Sequence, residues 1–344
     1  MKYYAIITTA VTMSVAAVFM SSCDKSAKDS RESLSTGWHA DILGDGFESR
    51  YIDMGDSYDG PVRSTVIRRR SECGDSMHRG VLYVHGFNDY FFQRELAERM
   101  ADSCYSFYAV DLRRYGRSLL PHQRRFDVHD DSEYFADIDS ALAVMRSDGI
   151  DDVTLMGHST GGLTTSLYMT EHPDTIVKRL ILNSPFLDWN LSSAMERFAV
   201  PVVSWLGRFF HKINIPQGSS GVYGRSLLQK YGGEWDYRTD WKLTESPDVT
   251  SGWISAIDRA QHELRDRTIG VPVLLMHSDR SGSGADSTAN DTDIVLDVED
   301  IHRYGSKLGH DVEEAVIPGG IHDLVLSRKE ARDSTYNAIF SFLH

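Results

Sequence analysis

Strands alternating with helices along residues 47–344 predict an α/β fold: a mostly parallel central sheet flanked by helices on both faces. Three observations carry this expectation. Short runs such as Gly80-Val-Leu-Tyr-Val-His85 are apolar nearly throughout, as strands buried on both faces must be. Between them lie segments with apolar residues at helical spacing, such as Phe135, Ile138, Leu142 and Met145. The third is a strand-turn-helix unit in which Val153-Thr-Leu-Met leads through Gly157-His-Ser159-Thr160-Gly161 into a small-residue helix at 163–169. In this G-x-S-x-G turn a serine sits where its hydroxyl projects from the sheet. Glycines stand where a side chain would collide with the turn.

From its start, the chain opens with Lys2, an apolar run over 5–20 and small residues at 21–22 before Cys23. The run is short for a membrane span and reads as a secretory signal over 1–22. Met20-Ser-Ser-Cys23 resembles a bacterial lipobox, which implies that Cys23 is acylated and becomes the mature N-terminus. Residues 24–46 are mostly polar and are expected to form a flexible tether. The remaining residues, 47–344, suit one large domain, without internal repeats.

Two early strands are expected at 50–54 and 62–69, joined by a Gly/Asp/Pro turn. Further strands are expected at 80–85, 107–111, 153–157, 178–183, 271–276 and 314–318. Helices are expected around Phe92, Leu96 and Met100, over 132–146, and over 329–343. The stretch 187–269, after the sixth of these strands, is too long for a simple connection. It reads as a helical cap rich in Trp and Phe, with residues 195–210 as a hydrophobic lid around Pro201.

His85-Gly-Phe87, Asp111-Leu-Arg-Arg-Tyr-Gly-Arg-Ser118, Gly157-His-Ser-Thr-Gly-Gly162, Asn183-Ser-Pro185 and Gly319-Gly-Ile-His322 together resemble the α/β-hydrolase fold. They are most similar to its monoacylglycerol lipase, lysophospholipase and serine aminopeptidase-like branch. Arg114 departs from that branch, which often has Gly there. The resemblance implies a Ser-His-Asp hydrolase with functional groups at the carboxyl ends of the strands.

Ser159 is the expected nucleophile and His322, just past the last strand, the expected base, since imidazole titrates near working pH. His158 is expected to pack beneath the strands and His85 to shape the neighbouring loop. Backbone N–H groups of Thr160 and Phe87 are the expected oxyanion donors. Two acids compete for the third role. Asp279 follows its strand at once; Asp293 opens Asp293-Ile-Val-Leu, which resembles the family's acid segment and is favoured. The Ser/Gly-rich residues between them read as a loop. Residues 286–293 lack the Gly and closing Glu of a calcium loop, so no metal and no cofactor is expected.

The formal net charge of −14 disfavours nucleic acid and anionic membrane as electrostatic partners. An apolar cap over a serine nucleophile suits a lipid-like ester such as a monoacylglycerol or lysophospholipid. An aminopeptidase would instead need cap carboxylates, for which Glu196, Glu234 and Asp236 are candidates. A binding module without turnover is the third reading. The expected setting is the bacterial cell envelope, with a monomer held to a membrane through acylated Cys23. In that oxidising setting Cys73 and Cys104 could pair, since both fall at one end of the sheet in the family's topology.

Overall fold

The computed structural model describes residues 37–74, 78–172, 176–190, 194–217, 221–282 and 289–344, with the side chains of 194–196 excepted. The expected signal segment 1–22, Cys23 and the expected tether as far as residue 36 lie outside the described residues. No described helix is long and apolar enough to cross a membrane.

The first half of the domain runs β1 (His39–Ala40), β2 (Glu48–Ser57), β3 (Gly60–Arg69), β4 (Arg79–Val84), α1 (Arg94–Asp102), β5 (Ser106–Asp111), α2 (Phe135–Ser147), β6 (Asp152–His158), α3 (Thr160–Glu171) and β7 (Val177–Asn183). An excursion follows with α4 (Ala194–Gly207), β8 (Asn214–Ile215), α5 (Val222–Leu227), β9 (Val249–Thr250) and α6 (Ser251–Arg265). The chain then closes with β10 (Val273–Ser278), α7 (Val298–Gly305), β11 (Val312–Ile317) and α8 (Lys329–Leu343).

Nine strands form one sheet in the order β1-β2-β3-β5-β4-β6-β7-β10-β11. Pairings from β5 to β11 are parallel, whereas β1–β2, β2–β3 and β3–β5 pair antiparallel. Alternation along the central strands divides the core into two layers. Leu82, Val84, Val153, Leu155, Leu180, Leu182 and Leu275 face one layer, where Ile138 of α2, Leu163 of α3, Ile257 of α6 and Ile301 of α7 cover them. Val81, Tyr83, Met156, Ile181, Leu274 and Met276 face the other, under Leu96 and Met100 of α1 and Ile339 of α8. The expected α/β-hydrolase architecture is therefore present.

Two boundaries differ from the sequence expectations. The fold begins before residue 47: Ala40 pairs with Glu48, and the buried Asp41 carboxylate accepts two 2.7 Å hydrogen bonds from the Arg117 guanidinium. The expected tether therefore cannot run to residue 46, since Asp41 is one of its polar residues and is held in a buried ion pair. The cap follows the strand expected as sixth, which is β7 once the short β1 is counted. It also ends earlier than 269, because α6 packs on α3 and places Trp253, Ile257 and Leu264 in the main core.

Arg114 adopts φ 67°, the left-handed region that favours glycine. Its side chain is fully buried and pairs with Asp59 at 2.6 Å over the Tyr58 ring. Cys73 and Cys104 are joined in a disulfide with Cα atoms 5.4 Å apart.

Candidate active site

The site forms where the parallel strands end. The strand order reverses around β4, which has β5 on one side and β6 on the other. The loops leaving β4 and β6 therefore separate there and open a crevice.

Ser159 sits between β6 and α3 with φ 55° and ψ −120°, a strained conformation for a residue with a side chain. The surroundings hold it there. Its N–H donates to Asn183 O at 3.1 Å, and its carbonyl accepts from Phe186 N at 2.9 Å. The flanking glycines allow the close packing. A Cβ at Gly157 would lie 2.3 Å from Thr165 Oγ1, and one at Gly161 would lie 2.3 Å from His85 O. Neither contact can be relieved by rotating a long side chain.

His322 follows β11 through a turn at Gly319 and is almost fully buried. Ser159 Oγ lies 2.9 Å from His322 Nε2, and His322 Nδ1 lies 2.9 Å from Asp293 Oδ2. Asp293 is wholly inaccessible; its Oδ1 accepts from Val295 N and Leu296 N, both at 2.8 Å. Asp293 returns beside the end of β10 because its backbone pairs with Ser281: Gly282 N donates to Asp293 O, and Asp293 N donates to Arg280 O. Asp279 is elsewhere. Its carboxylate accepts from Gly319 N at 2.9 Å and so fastens the turn that leads to His322. Of the two acids, the structure thus brings Asp293 to the imidazole and Asp279 to the supporting turn. Asp286 lies outside the described residues.

Phe87 and Thr160 line the same cleft as Ser159, and among the described residues neither backbone N–H has a hydrogen-bond partner. His85 keeps the first of these loops in shape. Its Nδ1–H donates to Gly86 O at 2.8 Å, while Nε2 accepts from Leu112 N at 3.1 Å. Burial holds this imidazole below its usual pKa, in keeping with a neutral ring that donates at one nitrogen and accepts at the other.

Several residues around the site escaped the sequence reading. Asn88, with φ 51°, exchanges two 2.8 Å hydrogen bonds with the Leu243 backbone in the cap. Next to it, buried Asp89 pairs with Lys242 Nζ at 3.1 Å. The loop that carries Phe87 is therefore clamped to the cap at two successive residues. Burial would raise the Asp89 carboxyl, but the Lys242 ammonium and then His158 bring it down to about 2. His158 lies beneath, its Nδ1 3.7 Å from Asp89 Oδ2, beyond hydrogen-bond reach but close enough for charge to act. Burial alone would lower the His158 pKa; the Asp323 and Asp89 carboxylates outweigh it and raise it. Asp323 accepts from Asn183 Nδ2 at 2.7 Å and from Gln93 Nε2 at 3.0 Å, tying the His322 segment to β7 and to the start of α1. Asn183 stood in a quoted motif and Asp323 adjoins His322, so position offered a hint for both. Lys242 offered none.

The cleft holds about 520 Å³. Phe186, Trp189, Trp253, Val222, Leu243 and Leu296 supply apolar wall around Ser159, and among the described residues no Asp or Glu lines it. Outside it, α4 turns Phe198, Val202 and Trp205 to solvent at 77%, 58% and 59% exposure. The aromatics expected in the cap thus divide: Trp253 belongs to both the core and the cleft wall, Trp189 lines the cleft against that core, and the lid aromatics are exposed.

A family model described as serine aminopeptidase, S33, matches residues 75–329. Among solved structures, a soluble variant of the Saccharomyces cerevisiae monoglyceride lipase, bound to a substrate analogue, superposes with a TM-score of 0.65 at 17% identity, covering 89% of this chain and 98% of that one. The Paleococcus ferrophilus monoacylglycerol lipase gives 0.60 at 18% identity, covering 86% and 99%. At these identities the likeness is one of fold. Among curated relatives, mouse epoxide hydrolase 4 is 31% identical over 106 residues and the human protein 27% over 148. The chain spans only 28% and 38% of their lengths. With most of its length matched by that model, the chain belongs to the serine aminopeptidase S33 family of α/β hydrolases.

Proposed function

We propose that this hydrolase is a serine esterase acting on carboxylic esters with an apolar acyl group, of the monoacylglycerol or lysophospholipid kind. The observation that carries the reading is the hydrogen-bonded chain Ser159–His322–Asp293, whose serine and histidine line a cleft walled in part by large apolar side chains. Ser159 Oγ attacks the ester carbonyl while its proton passes to His322 Nε2. Asp293 keeps the Nδ1–H tautomer and stabilises the imidazolium. The developing oxyanion is received by the Thr160 and Phe87 N–H groups, each such donor being worth about 2.7–4 kcal/mol. The imidazolium then protonates the leaving alkoxide, and the alcohol departs. Water, deprotonated by His322, attacks the acyl-serine; acid is released and Ser159 regains its proton.

The family model is named for a serine aminopeptidase, but the cleft does not supply what that substrate needs. Binding a substrate amine calls for a carboxylate in the cleft. Glu234 pairs with Arg332 instead, Asp236 is exposed away from the cleft, and the Glu196 side chain lies outside the described residues. The N-terminal reading belongs to the same proposal: acylated Cys23 would hold the enzyme at a cell-envelope membrane, and the apolar face of α4 suits a lipid-like substrate supply.

The test is turnover of p-nitrophenyl esters of graded chain length beside aminoacyl-nitroanilides. The reading expects kcat/KM to rise with acyl length past acetate. Faster cleavage of the anilides would overturn it.

A further inference from the structure

Away from the Ser159 cleft, three metal-binding side chains converge from three elements: His277 of β10, Glu314 of β11 and His302 of α7. Leu275 pairs with Glu314 in register, so His277, two residues on, falls on the same face as Glu314. His277 Nε2 is 2.8 Å from Glu314 Oε1, and His302 Nδ1 is 2.8 and 3.0 Å from the two Glu314 oxygens. One ligand atom from each residue lies within 4.8 Å of the others.

A count of protons shows what is unusual. His277 Nδ1 lies 2.7 Å from Ser278 O, and a carbonyl cannot donate, so Nδ1 carries the hydrogen. In a neutral ring Nε2 is then a bare lone pair, yet it faces a carboxylate oxygen. Two lone pairs at that distance need a proton or a metal ion between them.

We propose that His277, His302 and Glu314 form a binding site for a first-row divalent metal ion of the Zn²⁺ class. Two imidazoles with one carboxylate match the ligand preference of such ions rather than that of Ca²⁺ or Mg²⁺. The bond from His277 Nδ1–H to Ser278 O is the outer support that fixes a metal-binding imidazole. Metal bonds of about 2.0 Å set tetrahedral donors about 3.3 Å apart. The observed pairs are closer by a few tenths of an ångström, and the exposed His302 and partly exposed Glu314 side chains can move apart by that much. Their exposure also leaves a fourth position for water. Spacing in the sequence hid the site, because residues 277, 302 and 314 share no local motif.

The placement has a consequence. The connection that carries Asp293 starts after His277 and leads into the helix that carries His302. An ion bound by both closes that connection at its two ends and acts as a structural clamp, with no part in the ester chemistry.

The experiment uses the full chain without a polyhistidine tag, stripped with EDTA and titrated with Co²⁺ as a spectroscopic probe. The expected result is one Co²⁺ per chain with the visible absorption of a four-coordinate site, displaced by Zn²⁺, and a Zn²⁺-dependent rise in Tm. His302→Ala and Glu314→Gln, at positions exposed enough to leave folding intact, should each weaken Co²⁺ binding at least 100-fold and abolish the Tm rise. No visible band with millimolar Co²⁺ would overturn the proposal and leave the cluster as a hydrogen-bonded histidine–carboxylate group. A band unchanged in both variants would overturn it equally.

Discussion

Replacing Asp293 with Asn probes the geometry around His322 most finely. The Asp293 carboxylate serves three donors: Val295 N and Leu296 N at Oδ1, and His322 Nδ1 at Oδ2. An amide offers one accepting oxygen and one donating NH₂. Keeping the oxygen on the two backbone donors turns the NH₂ towards His322. The imidazole must then accept at Nδ1 and carry its proton on Nε2, where it faces Ser159 Oγ as a donor. The base is occupied, and Ser159 cannot hand over its proton. Loss of the orienting carboxylate in this way lowers kcat by about 10⁴, or about 5.5 kcal/mol. The amide is nearly isosteric and preserves the two backbone hydrogen bonds, so Tm should fall by only a few degrees and KM should hold within a few-fold. Asp279→Asn is the matched control. It weakens a hydrogen bond from Gly319 N at the turn before His322 and should cost less than tenfold in kcat. The assay is steady-state hydrolysis of a p-nitrophenyl ester across pH 6–9. Asp293→Asn activity within tenfold of wild type, or a larger loss in Asp279→Asn, would refute the reasoning.

Other expectations follow from the surroundings. Asn88→Ala removes both hydrogen bonds between the β4 loop and the cap, and should lower kcat about tenfold to a hundredfold with KM little changed, as measured on one chromogenic ester. Asp131 is wholly buried, and its carboxyl is pushed up to about 7 by burial, although it accepts from Thr164 Oγ1 at 2.8 Å. A carboxyl raised in the folded state binds protons better there than when unfolded. Stability from this group is therefore full below about pH 4 and declines up to about pH 7, by an amount of order 4 kcal/mol. Asp131→Asn should flatten that decline, read as ΔG from urea unfolding at pH 5 and pH 8; an unchanged slope would count against the buried carboxyl as its source. Opening the Cys73–Cys104 bridge should cost roughly 2–4 kcal/mol, checked by comparing denaturation of the oxidised chain with Cys73→Ser/Cys104→Ser.

Much of this arrangement was legible in the sequence for definite reasons. Strands buried on both faces need continuous apolar runs, so β4, β5, β6, β7 and β10 stood out. The serine turn needs glycine where Gly157 and Gly161 touch backbone and neighbouring side chains, and this leaves a local pattern. Asp293 was harder to place, since two acids followed β10 and the choice between them depends on a Ser281–Asp293 backbone pairing that no local pattern reveals. Asp41 was misread because a buried carboxylate with a distant arginine looks, in sequence, like any polar tether. The Asn88–Leu243 and Asp89–Lys242 contacts join the β4 loop to a cap some 150 residues later, a proximity that exists only once the cap has folded back. The end of the cap was misjudged for a related reason. Helix α6 has an amphipathic pattern whether it covers the sheet or the cleft, and in the fold it packs on both α4 and α3 while its apolar residues join the main core.

The central claim is that Ser159 is the nucleophile of an acyl-enzyme reaction. Its most direct test is intact-mass and peptide analysis after brief exposure to a fluorophosphonate ester. The account predicts one adduct per chain, located on Ser159, complete in wild type, absent in Ser159→Ala and slowed by orders of magnitude in Asp293→Asn. An adduct on another residue, or a Ser159→Ala variant that still labels and turns over esters at the wild-type rate, would contradict it.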